Sequence, residues 1–209
     1  MKTYEALIFD LGKVVFDLSF DRVFQFWASA SGQQPAAIKS KFKFDEFFDE
    51  FERGEVSDEN FRTEISRRLG LELPDHVFDE GWCSLYLDTY AGIDALLSSL
   101  KKHYRLVALT NTNNIHAQVW KPNYRATLSH FDKLFCSHEL KTRKPERQAY
   151  QHVLAYLKVA PQQVIFLDDS AVNLEGAVQL SINTILVESQ PQMHADLRKI
   201  LYSAGANLA

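Results

Sequence analysis

Apolar residues gather in short unbroken runs along this chain, and between the runs they recur every three or four positions. Tyr4 to Phe9, Arg105 to Thr110, Val164 to Leu167 and Thr184 to Val187 are runs rich in aliphatic and β-branched residues, with Lys133 to Cys136 a weaker fifth. Runs this short, without polar alternation, predict strands buried on both faces, as in a parallel sheet. Ile93, Leu96, Leu97 and Leu100 fall at i, i+3, i+4 and i+7, and so do Tyr150, Val153, Leu154 and Leu157, which predicts helices with one apolar stripe each. Strands alternating with such helices predict right-handed βαβ units and an α/β fold with a doubly wound, Rossmann-like parallel sheet.

One interval breaks the alternation. About ninety residues separate the first strand from the second without a strand pattern, far more than a normal crossover. Phe44, Phe47, Phe48 and Phe51 keep helical spacing there, and Phe61, Ile65 and Leu69 share a face after the N-cap candidate Ser57. The expectation is a helical cap domain over 19–89 inserted into an α/β core made of 1–18 and 90–209. Its hinges are expected near Asp17 to Phe20 and Asp88 to Gly92. The phenylalanine stripe reads as the insert's own core rather than a ligand platform.

Composition narrows the class. A chain of 209 residues with 46% hydrophobic residues and a net charge of −4 suits one substantial core with a small insert. The charges are spread evenly, so no basic face offers itself to nucleic acid. Cys83 and Cys136 lie far apart with no C-x-x-C spacing, which argues against a thiolate zinc site or a disulfide framework. Lys2 precedes an apolar run that Asp10 cuts short of a signal-peptide core, and no run approaches a membrane span. A cytoplasmic protein without membrane or nucleic-acid partners is expected.

In an open α/β sheet the ligand crevice lies beyond the carboxyl ends of the strands. Asp10 follows the first strand in "LIFDLGKVV", Thr110, Asn111 and Thr112 follow the second in "LVALTNTNN", and Asp168 and Asp169 end another in "VIFLDDSAVN"; Lys144 stands before a helix in "KTRKPERQAY". Singly, each has a plain reading as a cap, turn or solvated residue. Adjacent Asp168 and Asp169 at a strand mouth are harder to explain, because two carboxylates repel unless a cation or donors neutralise them. Together with Asp10 they offer hard oxygen ligands for Mg²⁺. Thr110 and neighbouring backbone N–H groups suit phosphate oxygens, Asn111 can join them, and Lys144 adds a cation. Asp10 is then placed to attack phosphorus and form an aspartyl-phosphate that water hydrolyses.

The order Asp10, Thr110, Lys144, Asp168-Asp169 resembles the four motifs of the haloacid dehalogenase-like hydrolase superfamily, which places a cap domain after the first strand. More narrowly, "FDLGKVV", "FERGEVS", "TNTNNIH", "RKPERQAYQHVL" and "FLDDSAVNLEGA" are similar to bacterial α-D-glucose-1-phosphate phosphatases and to the phosphatase domain of soluble epoxide hydrolase. The resemblance implies a small phosphorylated metabolite as substrate, with a sugar phosphate such as α-D-glucose 1-phosphate as the narrower expectation. It also implies a metal ligand in the backbone carbonyl at Gly12, where most phosphatases of the superfamily carry a general acid. Without that acid poor leaving groups suffer most, and an anomeric hydroxyl needs less help. The superfamily's dehalogenases lack the acid too, which makes a 2-haloacid dehalogenase the competing reading, but their last motif lacks the paired carboxylates. A phosphometabolite-binding pseudoenzyme is a third.

Other residues are weighed in the same frame. Asp17 is expected at a hinge, and Asn173 as a partner orienting Asp169 or its water, or as a helix cap. Asn111 and Thr112 can hydrogen-bond the phosphate or Asp10, or form a satisfied loop network from the same groups. His116 titrates near neutral pH and could donate a proton, but on a helical turn it reads as a surface or packing residue and is left outside the site. Arg53 and Glu55 can either reach the substrate or brace the turn at Gly54.

Overall fold

The computed structural model describes residues 4–203; Lys2 lies outside them. The chain runs β1 (Ala6–Phe9), β2 (Phe16–Leu18), α1 (Phe20–Ser31), α2 (Pro35–Lys41), α3 (Glu46–Glu52), α4 (Asp58–Leu69), α5 (Asp75–Cys83) and β3 (Tyr86–Thr89). It continues α6 (Ile93–Lys101), β4 (Arg105–Thr110), α7 (Asn114–Asn123), α8 (Arg125–Leu128), β5 (Lys133–Cys136) and α9 (Ser137–Leu140). The remainder is α10 (Arg147–Leu157), β6 (Val164–Asp168), α11 (Ala171–Val178), β7 (Asn183–Leu186) and α12 (Gln190–Ser203).

The five strands expected from the apolar runs form one parallel sheet in the order β5-β4-β1-β6-β7. Side chains alternate across it, as the pleat requires. Leu7 and Phe9 turn to one face with Leu106 and Leu167, against Leu97 of α6, Trp120 of α7 and Leu197 of α12. Ala6 and Ile8 turn to the other with Val107 and Phe166, against Tyr150 and Val153 of α10 and Ala177 of α11. Burial on both faces is why the strand runs carry no polar alternation. β1 pairs with β4 on one side and β6 on the other, so the chain reverses direction across the sheet at β1. That reversal opens the crevice where open α/β sheets bind ligands.

Helices α1 to α5 gather around Trp27, Phe51, Phe61, Phe78 and Trp82. The Trp27 and Trp82 rings stack with centroids 5.8 Å apart and planes 8° apart. Phe48 and Phe51 are buried as the stripe predicts, but Phe44 is 59% exposed. The Asp45 carboxylate caps α3 by accepting from the Phe48 N–H at 3.3 Å, so the helix starts after Phe44. Ser57 caps α4 as expected, accepting from Asn60 N–H at 3.2 Å.

The joints, expected as short hinges near Asp17 to Phe20 and Asp88 to Gly92, run through a pair of strands. β2 and β3 form an antiparallel ribbon, pairing Phe16 with Thr89 and Leu18 with Tyr86. Asp17 and Asp88 interrupt these short strands, leaving no apolar run to read. The Tyr90 hydroxyl donates to Asp17 Oδ1 at 3.1 Å, tying the ribbon to the segment that follows it. Among the described residues no helix is long and apolar enough to cross a membrane.

Candidate active site

The carboxyl ends of β1, β4 and β6 bring together residues more than a hundred positions apart. Asp10 follows β1 directly, Thr110 closes β4, and Asp168 closes β6. The strands are in register, Phe9 lying beside both Ala108 and Leu167, so these residues share one edge. Asp10, Gly12, Lys13, Thr110, Asn111 and Asp169 line part of a cavity of about 270 Å³.

Lys144 completes the set from the loop between α9 and α10. Its Nζ lies 2.9 Å from Asp10 Oδ1 and 2.6 Å from Asp168 Oδ2, with the residue only 1% exposed. Burial pushes the ammonium down, but Asp10 and Asp168 outweigh it and hold Lys144 above its ordinary value. Asn111 fixes the backbone of this lysine from both sides: its Nδ2 donates to the Lys144 carbonyl at 2.9 Å, and its Oδ1 accepts from Lys144 N–H at 2.8 Å. Asn111, expected to hold phosphate, lines the cavity and also braces the lysine.

Asp10, Asp168 and Asp169 each place a carboxylate oxygen within 4.8 Å of the others. Their environments separate them. Asp10 Oδ1 accepts from the Leu11 N–H at 2.7 Å. Burial raises its pKa to about 7, Lys144 pulling down and Asp168 pushing further up. Asp168 is fully buried and accepts from Ser170 N–H at 2.8 Å and from Asn173 Nδ2 at 3.0 and 3.1 Å as well as from Lys144. A carboxylate has about four acceptor positions, so these bonds occupy Asp168. Asn173 thus orients Asp168, not the expected Asp169. Asp169 stands exposed at the cavity; burial of its carboxyl and then the Asp168 charge raise its pKa.

Three carboxylates meet two cations, the buried Lys144 ammonium and Lys13 at the cavity wall, which leaves a net negative charge lined by hard oxygens. That donor set fits a divalent cation such as magnesium.

The remaining candidates separate clearly. Thr112 N–H donates to Ser137 Oγ at 2.9 Å and Thr112 Oγ1 accepts from Trp120 Nε1 at 3.2 Å, so Thr112 belongs to the wall's internal network. His116 stacks on Trp82 at 4.5 Å, and its ring nitrogens lie 3.0 Å from Asn113 Nδ2 and 3.1 Å from the Trp82 carbonyl. Burial drives its pKa to about 3, against the pull of that carbonyl, so it is a neutral packing residue. Arg53 pairs with Glu55 and Glu146, each at 3.0 Å, away from the cavity lining. A Cβ on Gly12 would meet Leu18 Cδ1 at 2.6 Å, so the tip of Leu18 would have to turn aside for an acid there. Phe16, Leu18, Phe20 and Tyr86 also line the cavity. The chain pattern concealed Phe16, Leu18 and Tyr86 because the ribbon that carries them was itself illegible; Phe20 opens α1 directly after it.

Residues 4–180 match the family described as haloacid dehalogenase-like hydrolase. The chain belongs to that family. It is 25% identical over 201 residues to the D-ribitol-5-phosphate phosphatase of Bacteroides thetaiotaomicron, covering 93% of this chain and 95% of that protein. It is 31% identical over 141 residues to the bifunctional epoxide hydrolase 2 of Sus scrofa, a match covering 63% of this chain and 25% of that much longer protein. A wild-type haloacid dehalogenase family enzyme from Bacteroides thetaiotaomicron, solved with magnesium and inorganic phosphate, has a TM-score of 0.79 at 28% identity, covering 91% of this chain and 98% of that one.

Proposed function

We propose that this hydrolase is a magnesium-dependent phosphatase that cleaves a small phosphate monoester through an aspartyl-phosphate. The carrying observation is Lys144 Nζ held between Asp10 and Asp168 at 2.9 and 2.6 Å, while Asp10, Thr110 and Asp169 line one cavity. Asp10 is the nucleophile: a carboxylate oxygen forms a bond to phosphorus while the bond to the leaving oxygen breaks. Water then attacks phosphorus, frees inorganic phosphate and restores Asp10. Thr110 and Lys144 hold the phosphate oxygens, with Lys144 fixed by Asp168 and Asn111. Asp10, Asp169 and the Gly12 carbonyl would hold magnesium, with Asp168 adding charge behind them. When bound, the ion neutralises phosphate charge.

The narrower reading is a sugar phosphate, as expected from the resemblance to α-D-glucose-1-phosphate phosphatases, widened to polyol phosphates. The D-ribitol-5-phosphate phosphatase among the relatives supports that class. Gly12 brings no proton to the leaving group, which favours weakly basic leaving oxygens. Helices α1 to α5 act as a cap over the cavity, Phe20 of α1 standing at its wall. The cytoplasm is the proposed setting, consistent with two free cysteines.

A phosphate-release screen over sugar phosphates, polyol phosphates, nucleotides and aryl phosphates, with and without Mg²⁺, tests this. Release should need the metal and vanish in Asp10→Asn while the fold persists by circular dichroism. Halide release from 2-chloropropionate with every phosphoester intact would establish the dehalogenase instead; binding without turnover, the pseudoenzyme.

A further inference from the structure

The "FERGEVS" turn contributes nothing to the cavity lining, yet it is bound to the loop that carries Lys144. On one side of Lys144, Arg143 Nη1 meets Asp49 Oδ1 at 2.8 Å and Arg143 Nε meets Glu52 Oε2 at 2.9 Å. On the other side, Arg53 Nη1 meets Glu146 Oε1 at 3.0 Å. Glu146 turns its second oxygen back onto the loop, accepting from Thr142 Oγ1 at 2.7 Å and from Arg143 N–H at 3.2 Å. Lys141 Nζ donates to the Gly54 carbonyl at 2.6 Å.

The turn's backbone fits the same contact. Gly54 has φ +68°, and a Cβ there would lie 2.5 Å from the His138 carbonyl oxygen, so a side chain would lift the turn off the loop. Glu52 is 8% exposed and Arg53 is held by Glu46 and Glu55 as well as Glu146, so neither is a loosely solvated surface charge. Exposed ion pairs contribute little, but buried, bidentate and networked ones fix geometry.

We propose that Glu52 and Arg53 are positioning residues for Lys144. They grip Arg143 and Glu146, the residues flanking Lys144-Pro145, so that docking of the helical segment sets where the lysine ammonium stands. The inference rests on the phosphatase reading for its kinetic consequence and on the contacts alone for its structural one. Misplacement of a catalytic group by about an ångström can cost about a hundredfold in rate, so Arg53→Ala and Glu52→Gln should lower kcat about tenfold or more. Asn114→Ala is the control: it cuts another contact of the same junction, Asn114 Nδ2 to Asp58 Oδ2 at 2.6 Å, that does not reach the Lys144 loop.

The experiment combines kinetics with amide hydrogen exchange of the full-length protein. The expected result is a lower kcat and faster exchange over 141–146 in both variants, neither change in Asn114→Ala, and smaller changes in the conservative variant Arg53→Lys, which keeps a cation among Glu46, Glu55 and Glu146. Unchanged exchange over 141–146 in Arg53→Ala and Glu52→Gln would overturn the inference, whatever the enzyme turns over. Equal loss in the control would also overturn it, by showing a general effect of weakening the junction. Failure of the phosphatase reading would show itself separately, as wild-type protein that releases no phosphate.

Discussion

As the proposed nucleophile and metal ligand, Asp10 carries two opposing demands: it must be ionised to act, yet burial without a metal holds its pKa near 7 against an ordinary 3.8. A proton therefore occupies it in the metal-free protein below about neutral pH, and a cation must displace that proton to bind. Magnesium affinity should rise with pH up to about 7, and binding at about pH 6 should release nearly one proton, measurable by calorimetry in buffers of different ionisation enthalpy. The sign for folding follows: the unfolded chain loses this proton at lower pH, so Asp10 makes the metal-free fold less stable as pH climbs from about 4 to about 7. Gly12 offers a second test. Gly12→Asp places a Cβ 2.6 Å from Leu18 Cδ1, a side-chain tip that can turn aside, so the variant should fold with little loss of stability in denaturant unfolding. Paired with Leu18→Ala, the new acid should raise turnover of alkyl phosphates relative to aryl phosphates by up to about a hundredfold.

The elements bring these residues together through a few close approaches. Gly176 of α11 is one: a Cβ there would lie 2.6 Å from the Pro145 carbonyl oxygen and 3.0 Å from the Tyr150 ring. Backbone cannot swing aside as a side-chain tip can, so Gly176→Ala should push α11 off the Lys144 loop. The expected cost is about 1–3 kcal/mol in denaturant unfolding, with a fall in kcat because Asp168 and Lys144 part. The sheet strands were legible because burial on both faces writes an unbroken apolar run, and the site acids stood out because they end those runs. The β2–β3 ribbon was not, since Asp17 and Asp88 break strands of only three and four residues. The partners of Lys144 were half legible. A lysine before proline says nothing of where its ammonium points, and only the fold brings Asn111 against its backbone and Asn173 against Asp168. Phe44 kept the helical spacing, but Asp45 beside it was the stronger signal, because a capping carboxylate starts the helix after itself.

Across the whole molecule, three apolar clusters have to unfold together or apart, and their seams decide which. Those on the two sheet faces share β1, β4 and β6. The helical cluster is joined to them by α7, whose Ile115 packs with Trp27 and Trp82 while Ala117 and Trp120 pack against the sheet. Leu18 and Tyr86 of the ribbon touch both, and the Arg53–Glu146 and Arg143–Glu52 pairs close the other side. So many seams favour one cooperative unit over two independent ones. Trp82 is the sharpest probe, being fully buried and packed against Trp27, Phe61 and His116. Trp82→Ala should cost about 3–5 kcal/mol by leaving a cavity. In a cooperative molecule that loss reaches the far sheet: slow amide exchange at Ala6 to Phe9 should accelerate as much as that of α1 and α5, and calorimetry should show one transition at lower temperature. Strand amides as slow as in the wild type, with only the helices loosened, would mean that the helical segment melts on its own and that the seams guide the active site without supporting the fold.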